Sequence, residues 1–286
     1  MPVWLKCNTT MKKIAVLAIM AGVVVLCHAC DDPEGPPDPV IEPTITKAVI
    51  DPAVTYQEMI GPEAENIGYS SKLGGNTFAV FSDPLKNKSS LAAYAYHTYN
   101  FPASALIAQT KADLNMIRDT YGNKPCIMTE YSNFTWLNTA WFIIQNLNEA
   151  NAAGYIYWLM AWADSNNDSM IKLSSAGAYT LTPFYYVMKH FSKEIDKGYV
   201  RIKVLSPLMP MSGFIDPSGK KITVVAVNPN TDAVNYEFEV TGKTVKSIRA
   251  MQTDAVNSYK DTQPVGIDKY IILKPKSVTT IVLELQ

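Results

Sequence analysis

Apolar and polar positions change rhythm several times along the chain. From Ile14 to Leu26 thirteen residues pass without a strongly polar side chain. That is short of the roughly 20 residues of a membrane-crossing helix and fits the hydrophobic segment of an export signal, entered through Met11-Lys12-Lys13. Residues 31–43 (DDPEGPPDPVIEP) carry almost no large apolar side chain and read as an extended tether. From about residue 44 to 200, short apolar runs alternate with helically spaced stretches, the mark of βα units. Strands are predicted at 77–82, 91–99, 126–129 and 154–162, the last two buried, and helices at 103–121, 138–152 and 183–191. The last helix has proline in its first turn. Beyond about residue 200 the apolar positions recur every second residue. Strands at 199–205, 221–228, 235–240, 245–253, 270–273 and 278–285 then predict a small antiparallel β-sandwich.

Composition narrows the function. The chain has 286 residues, 48% of them hydrophobic, enough to bury a sizeable core. A net charge of −1 leaves no electrostatic footprint for nucleic acid. The 16 Tyr and 5 Trp are dense between Tyr94 and Tyr186. Such faces suit stacking on sugar rings, and they equally suit a Tyr-rich core. Of the cysteines, Cys7, Cys27 and Cys30 lie in or before the signal, so only Cys126 remains and no disulfide framework is expected. No cysteine or histidine cluster has metal-ligand spacing, and no metal or cofactor is expected. Cys27-His28-Ala29-Cys30-Asp31-Asp32 resembles a bacterial lipoprotein box, which implies lipidation at Cys30. A plain cleaved signal and an uncleaved anchor are the alternatives.

Three predicted strand ends carry polar or aromatic groups: Tyr96-His97-Thr98-Tyr99, Thr129-Glu130-Tyr131, and Tyr157 to Trp162. In parallel β/α barrels the reacting groups sit at strand C-termini. A carboxylate closing a strand as apolar as Cys126-Ile127-Met128 has to be partnered or used. Glu130 is therefore either a salt-bridged strand-end acid or a catalytic one. His97 and Trp158 each read as core or as site.

These residues resemble a family. Met128-Thr129-Glu130-Tyr131 is similar to the seventh-strand nucleophile segment of glycoside hydrolase family 30, in its bacterial xylanase and glucuronoxylanase branch. Gly154-Tyr155-Ile156-Tyr157-Trp158 is similar to the eighth strand, and residues 179–202 to the closing helix and the return into a side domain. Ala95 to Tyr99 looks like the sixth strand, and Gly61-Pro62-Glu63 like the end of the fifth. The resemblance implies an α/β chain holding the C-terminal half of a (β/α)8 barrel followed by a small antiparallel β-sandwich side domain. Its divisions are a signal or lipoprotein segment at 1–30, a Pro-rich tether at 31–50, the partial barrel at 51–198 and the side domain at 199–286.

It also implies a retaining hydrolase of xylan or a related β-glycan, working by double displacement. Glu130 would be the nucleophile, and His97, Tyr99, Tyr131, Trp158 and Trp162 would contact the polysaccharide or oligosaccharide substrate. The family's acid/base lies in an Asn-Glu-Pro segment, which occurs nowhere in the chain, so the chain is expected to be N-terminally truncated and to lack that group. Residues 161–168 carry no cation of the kind that binds a glucuronate carboxylate in that branch, so plain xylan or another β-glycan is as plausible a substrate. A surface lipoprotein that binds glycan without turnover, or an inactive remnant, is the alternative. The expected location is the cell envelope or outer membrane, held by the lipid on Cys30, or the exterior as a secreted protein.

Overall fold

A computed structural model describes residues 44–59, 67–70, 92–97, 108–121, 124–132, 134–264 and 270–286. In chain order the elements are β1 (Ile45–Glu58), β2 (Ile67–Ser70), β3 (Ala93–His97), α1 (Ala108–Tyr121), β4 (Cys126–Glu130), α2 (Trp136–Asn148), β5 (Gly154–Tyr155), β6 (Ala161–Ala163), β7 (Ile171–Leu173), β8 (Tyr179–Leu181) and α3 (Pro183–Ser192). They continue as β9 (Val200–Leu205), β10 (Met211–Ile215), β11 (Lys221–Asn228), β12 (Val234–Val240), β13 (Val245–Thr253), β14 (Lys260–Thr262), β15 (Ile271–Leu273) and β16 (Ser277–Leu285). The result is a mostly-sheet α/β fold with few helices. None of the described helices is long and apolar enough to cross a membrane.

Three sheets form. A nine-stranded sheet runs in the order β14-β13-β16-β11-β10-β9-β1-β12-β15, a four-stranded one β2-β3-β4-β5, and a three-stranded one β6-β7-β8. The large sheet curls on itself. Gln252 of β13, near one edge, donates to the carbonyl of Ile272 on β15, the other edge, at 3.0 Å. Ala250, Ile281 and Leu283 accordingly share one core with Tyr236, Phe238, Ile271 and Leu273 from the far arm.

The place of β1 corrects the expected divisions. Residues 45–50 were assigned to the tether and 51–58 to the barrel, but all of them form one strand of the large sheet. β1 pairs in parallel with β12, from Ile45 opposite Asn235 to Ile50 opposite Val240. It pairs antiparallel with β9 on its other side. Ala48 and Ile50 alternate into the core while Lys47 turns out to Glu239 at 3.0 Å, so the segment has the period-two pattern of a half-buried strand. The sheet is therefore mixed, not purely antiparallel.

α2 joins the layers. Thr135 caps it, its hydroxyl accepting from the Asn138 amide at 3.4 Å, so the helix begins two residues before its expected start at 138. Phe142 packs toward β3 and β4 with Tyr96 and Met128. Ala140, Ile143, Ile144 and Leu147 pack toward Phe214, Val225, Val227 and Val278 of the large sheet. Side-chain amides then tie both sides. Asn146 accepts from the Tyr96 hydroxyl at 2.8 Å, and Asn148 donates to the Met211 carbonyl at 2.8 Å and accepts from Ser212 at 2.9 Å. The predicted buried strand at 154–162 is shorter than expected: only Gly154–Tyr155 joins the four-stranded sheet, and Ile156, Trp158, Met160 and Trp162 are exposed.

α3 is fastened by a buried histidine. Thr280 spends its single hydroxyl proton on the His190 carbonyl at 2.9 Å, so it can only accept from Nδ1 at 2.8 Å. Nε2 is then the acceptor for the Thr253 hydroxyl at 2.8 Å, and Thr253 in turn accepts from the Tyr259 amide at 2.9 Å. Every site is filled by the neutral imidazole. Burial first, and neighbouring Lys189 second, push its pKa down from 6.5 to about 3.

Because the folded value is depressed, the stabilisation from His190 is fully present above about pH 6.5 and is lost as pH falls toward 3, by about 1.4 kcal/mol per unit. The expected outcome is that the gap in urea midpoint between wild type and His190→Gln is widest near pH 7 and closes between pH 6 and 4. A gap that stays constant over that range would contradict it.

Candidate active site

The four-stranded sheet is parallel throughout, with Tyr94 opposite Cys126, Ala95 opposite Ile127 and Tyr96 opposite Met128. Tyr94, Tyr96, Cys126 and Met128 face α1 and α2. Ala93, Ala95 and Ile127 therefore face the other way, and a Cβ on Gly154 would meet Ile127 at 3.4 Å on that same side. By parity alone Glu130 would follow Cys126 and Met128 into the helix-side core.

A register shift prevents that. Between the pairs Tyr96–Met128 and His97–Glu130 one residue, Thr129, is left without a partner across the ladder. Its hydroxyl donates to the Tyr96 carbonyl at 3.4 Å. Such a bulge re-aims every side chain that follows it. Glu130 turns to the face of His97, and their Oε2 and Nε2 atoms stand 3.9 Å apart. That is too long for a hydrogen bond, so the two groups are neighbours across the strand end.

Their environments differ. His97 is 5% exposed, and burial lowers its pKa from 6.5 against the opposing pull of Glu130. The imidazole is thus neutral near pH 7 and does not cancel the charge of an adjacent carboxylate. The Glu130 side chain is 29% exposed and open to solvent.

Trp158 closes the row. β5 extends past its ladder, with the Ile156 amide on the Met128 carbonyl at 2.7 Å and the Trp158 amide on the Tyr131 carbonyl at 3.4 Å. Tyr157 turns to the helix side and stacks on Phe184 of α3 at 5.4 Å. Trp158 points to the opposite side and is 49% exposed, and its peptide bond to Leu159 is cis. Three adjacent strand ends thus present His97, Glu130 and Trp158 on one face.

The other expected contacts divide. Tyr131, expected to touch substrate, is corrected to a core residue. The bulge turns it back toward the helices, where it is 3% exposed and lies 4.7 Å from Phe134 and 5.2 Å from Phe142 between ring centroids. Trp162 is 57% exposed on β6, opposite Lys172 in the three-stranded sheet. Tyr99, Cys30 and Gly61 to Glu63 lie outside the described residues. Thr129 was missed as a shaping residue, although the sequence carried a signal for it: apolar positions 126 and 128 share a parity that Tyr131 breaks. Among the described residues no group of three or more His, Cys, Asp or Glu side chains comes together as a metal site would need.

Glycoside hydrolase family 30 xylanases have a fold to which that of this chain is similar. The catalytic domain of family 30 xylanase C from Talaromyces cellulolyticus is 20% identical and superposes with a TM-score of 0.59, over 75% of this chain and 51% of its own. A family 30 subfamily 8 xylanase from Clostridium acetobutylicum gives 22% identity and a TM-score of 0.58, over 75% and 55%. A conserved exported protein from Bacteroides fragilis gives 18% and 0.61, over 79% and 55%. The chain spans about half the length of these structures. No protein-family model and no curated protein sequence matches it.

The split between core and surface aromatics is measurable by chemical denaturation. Tyr131→Ala is expected to cost about 3–5 kcal/mol, the range for emptying a buried aromatic site. Trp158→Ala, at a half-exposed position, is expected to cost about 1 kcal/mol or less. Equal losses would contradict the division.

Proposed function

We propose that the chain is a retaining glycoside hydrolase of xylan or a related β-glycan, with Glu130 as its nucleophile. The observation that carries the reading is the Thr129 bulge, which brings Glu130 out of the core to 3.9 Å from a buried His97. In this reading β2–β5 with α1, α2 and α3 are half of a (β/α)8 barrel, and the nine-stranded sheet is its side domain. Glu130, His97 and Trp158 stand at strand C-termini, where such barrels place their chemistry.

In double displacement a Glu130 oxygen would attack the anomeric carbon while a second carboxylic acid, which the family carries in the Asn-Glu-Pro segment that this chain does not contain, protonates the leaving-group oxygen as its bond breaks. Water then cleaves the glycosyl ester, with the same second group as base. Neutral His97 walls the nucleophile without neutralising it, and Trp158 and Trp162 offer apolar faces to sugar rings. The similar solved structures named as xylanases support this choice of substrate class. Lipidation at Cys30 would hold the protein at the envelope.

A second reading, glycan binding without turnover, is favoured by the lack of any Asn-Glu-Pro segment in the chain. Release of reducing ends from xylan separates the two. The enzyme reading expects turnover that falls about a thousandfold or more in Glu130→Gln. The binding reading expects affinity for xylooligosaccharides, no turnover, and no change in affinity in that variant. A folded chain that neither binds nor cleaves would sink both. For the anchor, Cys30→Ala is expected to move the protein from the membrane fraction to the soluble one.

A further inference from the structure

We propose that the hydroxyls of Tyr157 and Thr182 form a clamp that sets Trp162 in place relative to Trp158, which makes them positioning residues for an extended sugar-binding face. The inference rests on the reading of the two tryptophans as glycan contacts.

Both tryptophans are about half-exposed, so little packing of their own holds them. Trp158 is fixed through its backbone at the end of β5, whereas Trp162 stands on β6, outside the four-stranded sheet. Among the described residues β6 pairs with β7 alone, in parallel, with Trp162 opposite Lys172. Parallel neighbours ordinarily need a crossover of about a dozen residues or more. Residues 164–170 make this one in seven, so where they are held decides where β6 lies.

The crossover is gripped at two adjacent peptides. Asn166 Oδ1 closes the turn from within, accepting from the amides of Asp168 and Ser169, each at 2.8 Å. From outside, the Tyr157 hydroxyl donates to the Asp168 carbonyl at 2.7 Å and the Thr182 hydroxyl to the Ser169 carbonyl at 2.8 Å. Both donors belong to buried residues, and the Tyr157 ring stacks on Phe184. Thr182 occupies the N-cap position of α3 but makes no side-chain cap bond. The helix end thus forgoes a stabilising cap, and the hydroxyl holds the crossover instead. Tyr157 directly precedes Trp158, so its hydroxyl ties the crossover behind Trp162 to the backbone that carries Trp158.

Two apolar faces held at a fixed spacing bind a run of sugar rings with less ordering cost than two that move independently. A glycan too short to meet both faces gains nothing from the clamp.

Tyr157→Phe and Thr182→Val each remove one hydroxyl and keep the side chain's shape. In the whole chain labelled with 5-fluorotryptophan, each is expected to shift or broaden the fluorine resonance of Trp162, assigned by its loss in Trp162→Phe. The resonances of Trp136 and Trp141, on α2, are expected to stay unchanged. Xylohexaose affinity is expected to fall about tenfold in Tyr157→Phe, and not to fall further when that change is added to Trp162→Ala. The same tenfold loss with and without Trp162 would overturn the inference, since it would report general damage. A Trp162 resonance unmoved in both variants also overturns it. A wild-type chain that binds no xylooligosaccharide faults the proposed substrate, while the resonance still decides whether the clamp sets Trp162.

Discussion

One helix with almost no polar side holds the described architecture together. α2 buries Thr139, Ala140, Phe142, Ile143, Ile144, Gln145, Asn146 and Leu147, more of its circumference than a surface helix presents. It has no solvent face to spare because it lies between two sheets, Phe142 against one and Ile143, Ile144 and Leu147 against the other. Its buried amides add direction to that apolar contact. Asn146 is met by Tyr96 and Asn148 by Ser212, so a slip of one residue would leave polar groups unpaired in both layers. The strand ends that carry His97 and Glu130 inherit their position from this helix.

The site follows from a small irregularity on a rigid support. A regular β4 would send Glu130 toward Phe142 and leave a carboxylate in an apolar core. One extra residue reverses the parity, placing Glu130 at the surface and Tyr131 among the phenylalanines. A single insertion thus resolves two burial problems of opposite sign. Its neighbour His97 is held neutral by the same burial that fixes its position.

Much of this was legible in the residues. The strand Cys126–Glu130, the helix opening at Pro183 and the strands at Lys221–Asn228 and Val245–Thr253 all carry their period openly. β1 was hidden because its partners are β9 and β12, far along the chain, and a lone alternating stretch beside a Pro-rich tether has no local sign of a sheet. Met211–Ile215 was hidden because Ser212 and Gly213 interrupt its apolar pattern, while pairing with β9 and β11 on both sides imposes the strand. Tyr131 was misplaced because sequence spacing assumes unbroken alternation. Residues 154–162 read as buried since they are apolar, yet apolarity reports a need for cover without naming what supplies it.

The position of β1 has a consequence for the order in which the protein can be completed. Lys47 meets Glu239 across 192 residues of chain, so the first strand of the large sheet to leave the ribosome is among the last to find both partners. Until Val200–Leu205 and Val234–Val240 have been made, the backbone from Ile45 to Glu58 has no ladder to join. Such long-range pairing is slow, because loop closure comes before any contact rewards it. The early segment must wait without pairing elsewhere, and its neighbours are suited to that delay: an acidic, proline-dense stretch ends at Pro43, immediately before the strand, and discourages premature β-pairing.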